Sequence, residues 1–436
     1  MAPVPRTLNR SSPISMWAGG GVTFRVSLSL GLVDEPGDQA LWDQDEWDAG
    51  QWSSGGVGEA YWYDVTAFAL RVETSLGKDR FEEQFRTGRF KLILDNQTGI
   101  WNPIAGQTPN FKLSLRPGRW FKVEAYTELT GWVSMFTGYV DAINDTYAGA
   151  GFGIDTIVSG YGFSGVMQMD RLPPLETPLP GGGLTSDRVT WLLDRWNWPI
   201  DYRDIQTGQA TMLSSDLPGS TLDEMQKASE AEGGGIYFDQ RAVPTFKARE
   251  WLKTDPRSTD VQFRIGGPGS DIDPLNYEVD WSGQRVYNDI QLTRRDGIMQ
   301  RATDTESWSR YFRRTFIRSA LENDNDTDVL ELADRFLAAF AYDRIRIEEV
   351  EIWPRDATRA ALALETRLGD LIEATVSTGA GWGYTAEAHV MRIDHILTAS
   401  DWEMTLRLDD SQTIPPPDAG SFDQGFSSGF RIGGTG

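Results

Sequence analysis

Along much of this chain hydrophobic and polar side chains alternate with a period of two. Phe24, Val26, Leu28 and Leu30 share one parity in an early segment, and Phe90, Leu92 and Leu94 share one in another. That period buries one face of a strand and wets the other. Segments 121–126, 132–143 and 152–158 extend the series between Gly and Asn turns, so a small closed or nearly closed barrel is expected to end near Asp170.

The period then changes. Pro173, Pro174, Pro178, Pro180 and the glycines at 181–183 form a linker that neither a regular helix nor a central strand tolerates. Val189, Leu192, Leu193 and Trp196 follow Ser186 at helical spacing and predict a helix over 187–197, stopped by Pro199. Thr221 and Glu224 at capping-box spacing, with Gly233 behind, predict a second helix over 222–232. A hairpin of 236–238 and 245–248 completes a small mixed unit.

Beyond Asp273 and Pro274 strands return, interrupted by one helix. Asp328 as cap, Glu331 three residues on, then Leu332, Ala333, Phe336, Leu337 and Phe340 place that helix at 329–341. In 344–353, Ile345 and Ile347 share one parity while Val350 and Ile352 share the other, which requires a bulge near Glu348 or Glu349. Trp402, Met404, Leu406 and Leu408 alternate with polar residues after a turn at 398–401, the pattern of a closing hairpin.

The fold class expected is therefore mainly β with a small α/β insertion. Its organisation is an arm (1–21), a first barrel (22–170) with a Trp-rich loop at 41–60, a linker and small α/β domain (171–260), a second barrel (261–412), and a Gly/Ser/Phe tail (413–436). The two barrels are expected to be related and to superimpose, with Phe90, Leu92 and Leu94 in one core and Val286, Ile290, Leu406 and Leu408 in the other. One continuous sheet would count against that arrangement.

Composition narrows the function. With 436 residues and 39% apolar side chains the chain can fill real cores. A formal charge of −23, from 64 acidic and 41 basic residues, argues against binding a phosphate backbone, which draws on clustered Lys and Arg. The acidity favours solubility, and an acidic lumen would let DNA slide without sticking. There is no cysteine, which excludes disulfides and thiolate zinc sites. Met1 to Gly20 lack a continuous apolar stretch, and no run of eighteen apolar residues occurs, so the expectation is a soluble protein without a standard export signal.

Candidate chemistry is sparse. Gly425-Phe426-Ser427-Ser428-Gly429 matches a nucleophile-elbow pattern, but only seven residues follow and both histidines lie upstream. His389 and His395 fall on one face of a regular strand about 20 Å apart, too far to share a metal. Asp324, Asp326 and Asp328 begin like a calcium loop, yet Val329 replaces the turn glycine, and a helix start explains them better. Glycan hydrolysis needs only two carboxylates, but no site gathers them. Neither catalytic, cofactor nor metal residues are expected. Trp42, Trp47 and Trp52 recur every five residues, and Phe422, Phe426 and Phe430 every four. Left exposed, such rings invite aggregation, so partners are expected to cover them.

The segment Gly88-Arg89-Phe90-Lys91-Leu92-Ile93-Leu94-Asp95-Asn96-Gln97-Thr98-Gly99-Ile100-Trp101-Asn102-Pro103 is followed by Leu115-Arg116-Pro117-Gly118 and Phe136-Thr137-Gly138-Tyr139-Val140. That order resembles the first barrel of minor tail proteins of long, flexible-tailed bacteriophages. Arg285-Val286-Tyr287-Asn288-Asp289-Ile290-Gln291-Leu292-Thr293-Arg294 resembles the opening strand of the matching later barrel. The Trp42-Asp43 and Trp47-Asp48 runs are similar to those near the start of actinobacteriophage minor tail proteins. The resemblance implies a non-enzymatic virion protein at the tail tip, assembled in the host cytoplasm: a homotrimeric hub closing the tail tube. It also implies as partners the distal tail protein, the tape measure protein and other minor tail proteins or a tip fibre. DNA would pass through the lumen without specific binding, and no stable membrane insertion is implied. Three chains with two barrels each could seat on a sixfold tube. The long C-terminal extension that carries a wall lysin or receptor-binding domain in some relatives has no counterpart among these motifs, so neither wall cleavage nor receptor binding by this chain is expected. The alternative is a carbohydrate-binding tail protein touching the host envelope through Trp42, Trp47 and Trp52, with a glycan hydrolase behind it.

Overall fold

A computed structural model describes residues 21–29, 62–97, 99–101, 115, 117–147, 154–173, 175, 178–217, 219–280, 283–377 and 383–410. Trp42, Trp47, Trp52, Phe422, Phe426 and Phe430 lie outside them, as do most of the arm and the tail.

Seven strands come first: β1 (Thr23–Ser29), β2 (Trp62–Asp64), β3 (Ala69–Gly77), β4 (Arg86–Asp95), β5 (Trp120–Thr127), β6 (Gly131–Tyr147) and β7 (Ile154–Gly162). The alternation holds, since Phe24, Val26 and Leu28 and then Phe90, Leu92 and Leu94 are buried in one core. After β7 comes the helix Phe163–Met169, which the sequence pattern does not reveal.

The α/β unit holds the helices Thr185–Arg195 and Thr221–Glu232 and the strands β8 (Asp204–Ile205), β9 (Gly235–Phe238) and β10 (Pro244–Lys247). β9 and β10 form the expected antiparallel hairpin. Both helices begin slightly earlier than the sequence suggests. Leu184 rather than Ser186 caps the first, its backbone N–H donating to the Asp187 carboxylate at 3.1 Å. Ser220 rather than Thr221 caps the second, in a box with Asp223, and Gly233 ends it at a φ of 69°.

After two short helices, Trp251–Thr254 and Pro256–Thr259, come β11 (Val261–Ile265), β12 (Pro274–Asp280), β13 (Asp289–Arg294), β14 (Met299–Thr303), β15 (Thr315–Leu321), β16 (Arg346–Ile352), β17 (Leu371–Ser377), β18 (Gly383–Thr398) and β19 (Trp402–Asp409), with the helices Thr305–Tyr311, Asp326–Phe340 and Ala357–Glu365 among them. Three helices therefore interrupt the strands where one was expected. The last hairpin is as predicted, with Leu397 opposite Trp402 and Thr398 N–H bonded to the Asp401 carbonyl. Glu348 is the bulge: Glu278 faces Glu349 and Val279 faces Ile347, which leaves it unpaired.

The mainly β class with an α/β insertion stands, but the two strand groups are not separate sheets. The order β12-β16-β19-β18-β3-β4-β7-β6-β5-β1-β2 is one hydrogen-bonded path, with β17 also on β18 and β11 on β17. Segments of the two expected barrels thus lie in one continuous sheet, which was expected not to be the case. The physical cause is the length of β18. Its first half pairs with β17, and from Arg392 onward the same edge pairs with β3. Gly77 makes that switch possible, because at a φ of 128° it meets the Met391 carbonyl, where a Cβ would stand 2.1 Å from the oxygen. Across the seam Phe24 of β1 and Trp402 of β19 meet edge to face at 5.4 Å, inside a single core.

The irregularity between Val390 and Arg392 also corrects the histidine reading. A bulge reverses side-chain parity. His389 faces the Ser258 carbonyl at 3.0 Å, whereas His395 lies among Ile393, Leu397 and Trp402 on the other face. Burial holds His395 down to about 3, and its Nδ1 accepts from Trp402 Nε1 at 3.3 Å.

A second correction concerns β13. It pairs with β14 and β15 in a separate three-stranded sheet, so Ile290 packs under the helix Asp326–Phe340 while Leu406 and Leu408 stay in the large core. Val286 precedes β13 and is buried just outside it. A period of two fixes which side of a strand is buried, not which strand lies beside it. Asn325, not Asp328, caps that helix. Asp328 instead accepts from Thr211 N–H at 2.9 Å and ties the helix to the α/β unit.

The 78–85 loop between β3 and β4 clasps all three parts. Phe81 packs on Phe336 and Phe340 of the small-sheet unit, and Phe85 lies 4.7 Å from Tyr237 of the α/β unit. Lys78, buried under both rings, donates to the Phe81 and Glu83 carbonyls at 2.7 and 3.2 Å, and burial lowers its pKa to about 8. Buried Arg285 binds Asp409 at the end of β19 and Glu82 of the loop, 3.3 Å away.

Two outcomes follow from these contacts. Arg285→Ala takes the guanidinium from the buried Asp409 carboxylate, which keeps the Phe81 N–H at 3.2 Å, and should cost about 3–5 kcal/mol in urea unfolding; a loss below about 1 kcal/mol contradicts the clasp. Unfolded imidazole titrates near 6.5, so neutral His395 contributes fully above that pH and the fold loses stability as pH falls from there toward 3. Melting curves should show a shallower slope over that window for His395→Phe than for the parent chain.

Candidate interaction surface

The order β14-β13-β15 joins an antiparallel pair to a parallel one, and the helix Asp326–Phe340 covers only one side of the sheet. Ile290, Leu292 and Ala302 point to that helix and meet Val329, Leu332, Ala333 and Phe336. The opposite parity carries Met299 and Arg301 on β14, Gln291 and Thr293 on β13, and Thr315 and Ile317 on β15. Ile317 is 68% exposed. Met299 and neighbouring Ile298 are exposed as well.

At one end of this face a charged cluster is already ordered. The Asp289 carboxylate, fully buried, accepts from Arg301 Nε at 2.6 Å, Arg313 Nε at 2.7 Å, Thr315 Oγ1 at 2.8 Å and Gln291 Nε2 at 2.9 Å. Burial works to raise its pKa, but the donors from Arg301, Arg313, Thr315 and Gln291 prevail and hold it at about 2. Both guanidinium groups lie within 6 Å of the Trp308 ring, at 5.8 and 5.6 Å. Arg301 and Arg313 remain partly in water, so two cations share one carboxylate and present a positive surface.

Beside them Phe312 is 85% exposed at a φ of 61° and a ψ of 171°, a conformation otherwise left almost entirely to glycine. Buried Asn288 enforces it. Its Nδ2 donates to the Phe312 carbonyl at 2.9 Å and to Ser307 Oγ at 3.0 Å, and its Oδ1 accepts from Arg314 N–H at 2.8 Å. A backbone conformation costing about 1–3 kcal/mol thus turns a phenyl ring toward solvent, flanked by Arg310, Arg313 and Arg314. From Arg285 to Arg318 the chain has eight arginines and four carboxylates, a surplus of four positive charges in a chain of −23. Exposed aromatic, aliphatic and arginine side chains together are the composition of a protein-binding face.

The aromatic repeats proposed from the sequence, Trp42, Trp47, Trp52 and Phe422, Phe426, Phe430, lie outside the described residues. Sequence reasoning missed the surface itself, although the local excess of arginine was visible. Among the described residues no cluster of His, Asp and Glu is arranged to hold a metal, and Asp324, Asp326 and Asp328 sit at a helix start.

In fold the chain is similar to the tail protein from Neisseria meningitidis MC58, at a TM-score of 0.55 and 10% identity over 88% of this chain and 96% of that one. It is equally similar to the 43 kDa tail protein of prophage MuSo2 from Shewanella oneidensis, at a TM-score of 0.55 and 11% identity over 89% and 99%. No protein-family model and no curated protein matches the sequence. The fold is that of phage tail proteins.

Asp289→Asn should loosen Arg301 and Arg313 and cost about 1–3 kcal/mol at neutral pH, the range for hydrogen bonds to a charged group. A depressed carboxylate contributes above its unfolded value near 4 and loses that contribution as pH falls toward 2. Amide exchange in β13 and β15 should therefore separate the variant from the parent at pH 7 and scarcely at pH 2.

Proposed function

We propose that this chain, with the fold of phage tail proteins, is a structural component of a phage tail. The observation that supports the reading is a fold shared over nearly the full length of two tail proteins, which leaves little of either chain unmatched. The chemistry of the described surface agrees, since it is suited to holding another protein.

The finer reading is a homotrimeric hub at the tail tip, seated on the distal tail protein, surrounding the end of the tape measure protein and joined to other minor tail proteins or a tip fibre. In it the boundaries near 22–170, 171–260 and 261–412 mark two ring-forming parts and the inserted α/β part. Trp42, Trp47, Trp52, Phe422, Phe426 and Phe430 are partner contacts. Each ring brings roughly 150–250 Å² of surface, so three docked rings can hold a segment on a neighbour at about 25 cal/mol per Å². DNA would pass through the lumen without binding it specifically, and the chain would have no catalytic role.

Quantitative mass spectrometry of purified tails tests the role, with the chain expected at three copies per tail. A chain absent from tails, or one that releases product from host wall glycan, refutes it. Trp42→Ala, Trp47→Ala and Trp52→Ala together should leave the melting temperature within about 2 °C of the parent while reducing incorporation into tails; normal incorporation would move these rings to host contact.

A further inference from the structure

We propose that the arginine and phenylalanine face of the small sheet docks on a second copy of this chain, against the carboxylate-rich outer face of β12, β16 and β19. The inference rests on the homo-oligomeric reading above and identifies the two surfaces that would meet.

The receiving face follows from register. Glu278, Glu349 and Arg407 lie in one row across the three strands, and Asn276, Glu351 and Thr405 in the next. Arg407 is shared by Glu278 at 3.1 Å and Glu349 at 2.7 Å. Glu351 and Glu403 have no ion-pair partner among the described residues. Burial, followed by Glu351 and Asp401, raises the pKa of Glu403 against the opposing charge of Arg71, which marks a crowd of carboxylates. The donating face has the opposite imbalance: Arg301 and Arg313 share Asp289, and among the described residues Arg314 donates to backbone carbonyls, of Gly283 and Tyr311. Phe312 supplies the apolar anchor at its centre. Leu275, 45% exposed at the bulge in β12, supplies apolar surface beside the carboxylates.

The two faces belong to different parts of the chain, so their contact is heterologous, and repeated contacts of that kind close a ring when the rotation allows. Opposite charge also orients the encounter, because two arginine faces or two carboxylate faces would repel.

The absence of cysteine makes the test clean. A chain with both Phe312→Cys and Glu351→Cys is incorporated into tails and treated with a short bis-maleimide. The expected result is a ladder of linked copies from the double variant and none from either single variant, with Arg310→Glu and Arg314→Glu lowering the ladder at least fivefold. Those two arginines do not touch Asp289, but Arg310 pairs with Glu306 at 2.9 Å and Arg314 holds the Gly283 and Tyr311 carbonyls, so the variant must also keep the parent's melting temperature. Tails that contain the double variant but give no ladder, a ladder from one cysteine alone, or linkage to a different tail protein would overturn the proposal while the tail assignment stands. Absence of the parent chain from tails would instead overturn the reading on which it rests.

Discussion

The buried pair of Arg285 and Asp409 is the contact on which the arrangement of the chain depends. Asp409 ends the last strand of the large sheet, Arg285 precedes the small one, and Glu82 of the 78–85 loop completes the group. A charge pair taken out of water contributes little by comparison with apolar packing, yet losing one member leaves the other uncompensated. The pair therefore matters chiefly for orientation. It sets the angle at which a small sheet bearing an exposed phenyl ring stands on a large sheet bearing exposed carboxylates.

The second constraint is the seam between β3 and β18. One sixteen-residue strand serves two neighbours along one edge, and Gly77 with the irregularity at Met391 allows the change of partner. The sheet that results has one core, from Phe24 through Trp402 to Leu408, in place of two.

The sequence exposed the strands better than their neighbours. Alternation at Phe24, Phe90 and Trp402 located buried faces, and the parity change in 344–353 located the bulge at Glu348, because both are properties of a single strand. The seam and the placement of β13 depend on partners more than a hundred residues apart or on local competition, and period carries neither. Helix caps shifted by one to three residues where several competent side chains stand together, as at Ser220 with Thr221 and at Asn325 through Asp328. Phe312 gives no sequence signal, since its exposure is imposed by Asn288, twenty-four residues earlier.

The role proposed for this fold is that of a repeated part of a phage tail. Imaging of the assembled tail at side-chain resolution tests it most directly. The expected image shows copies of the chain around the tail axis, with Phe312 of each covered by the β12, β16 and β19 face of the next. Density that lacks the chain, or that leaves every Phe312 turned to solvent with the copies joined elsewhere, would contradict it.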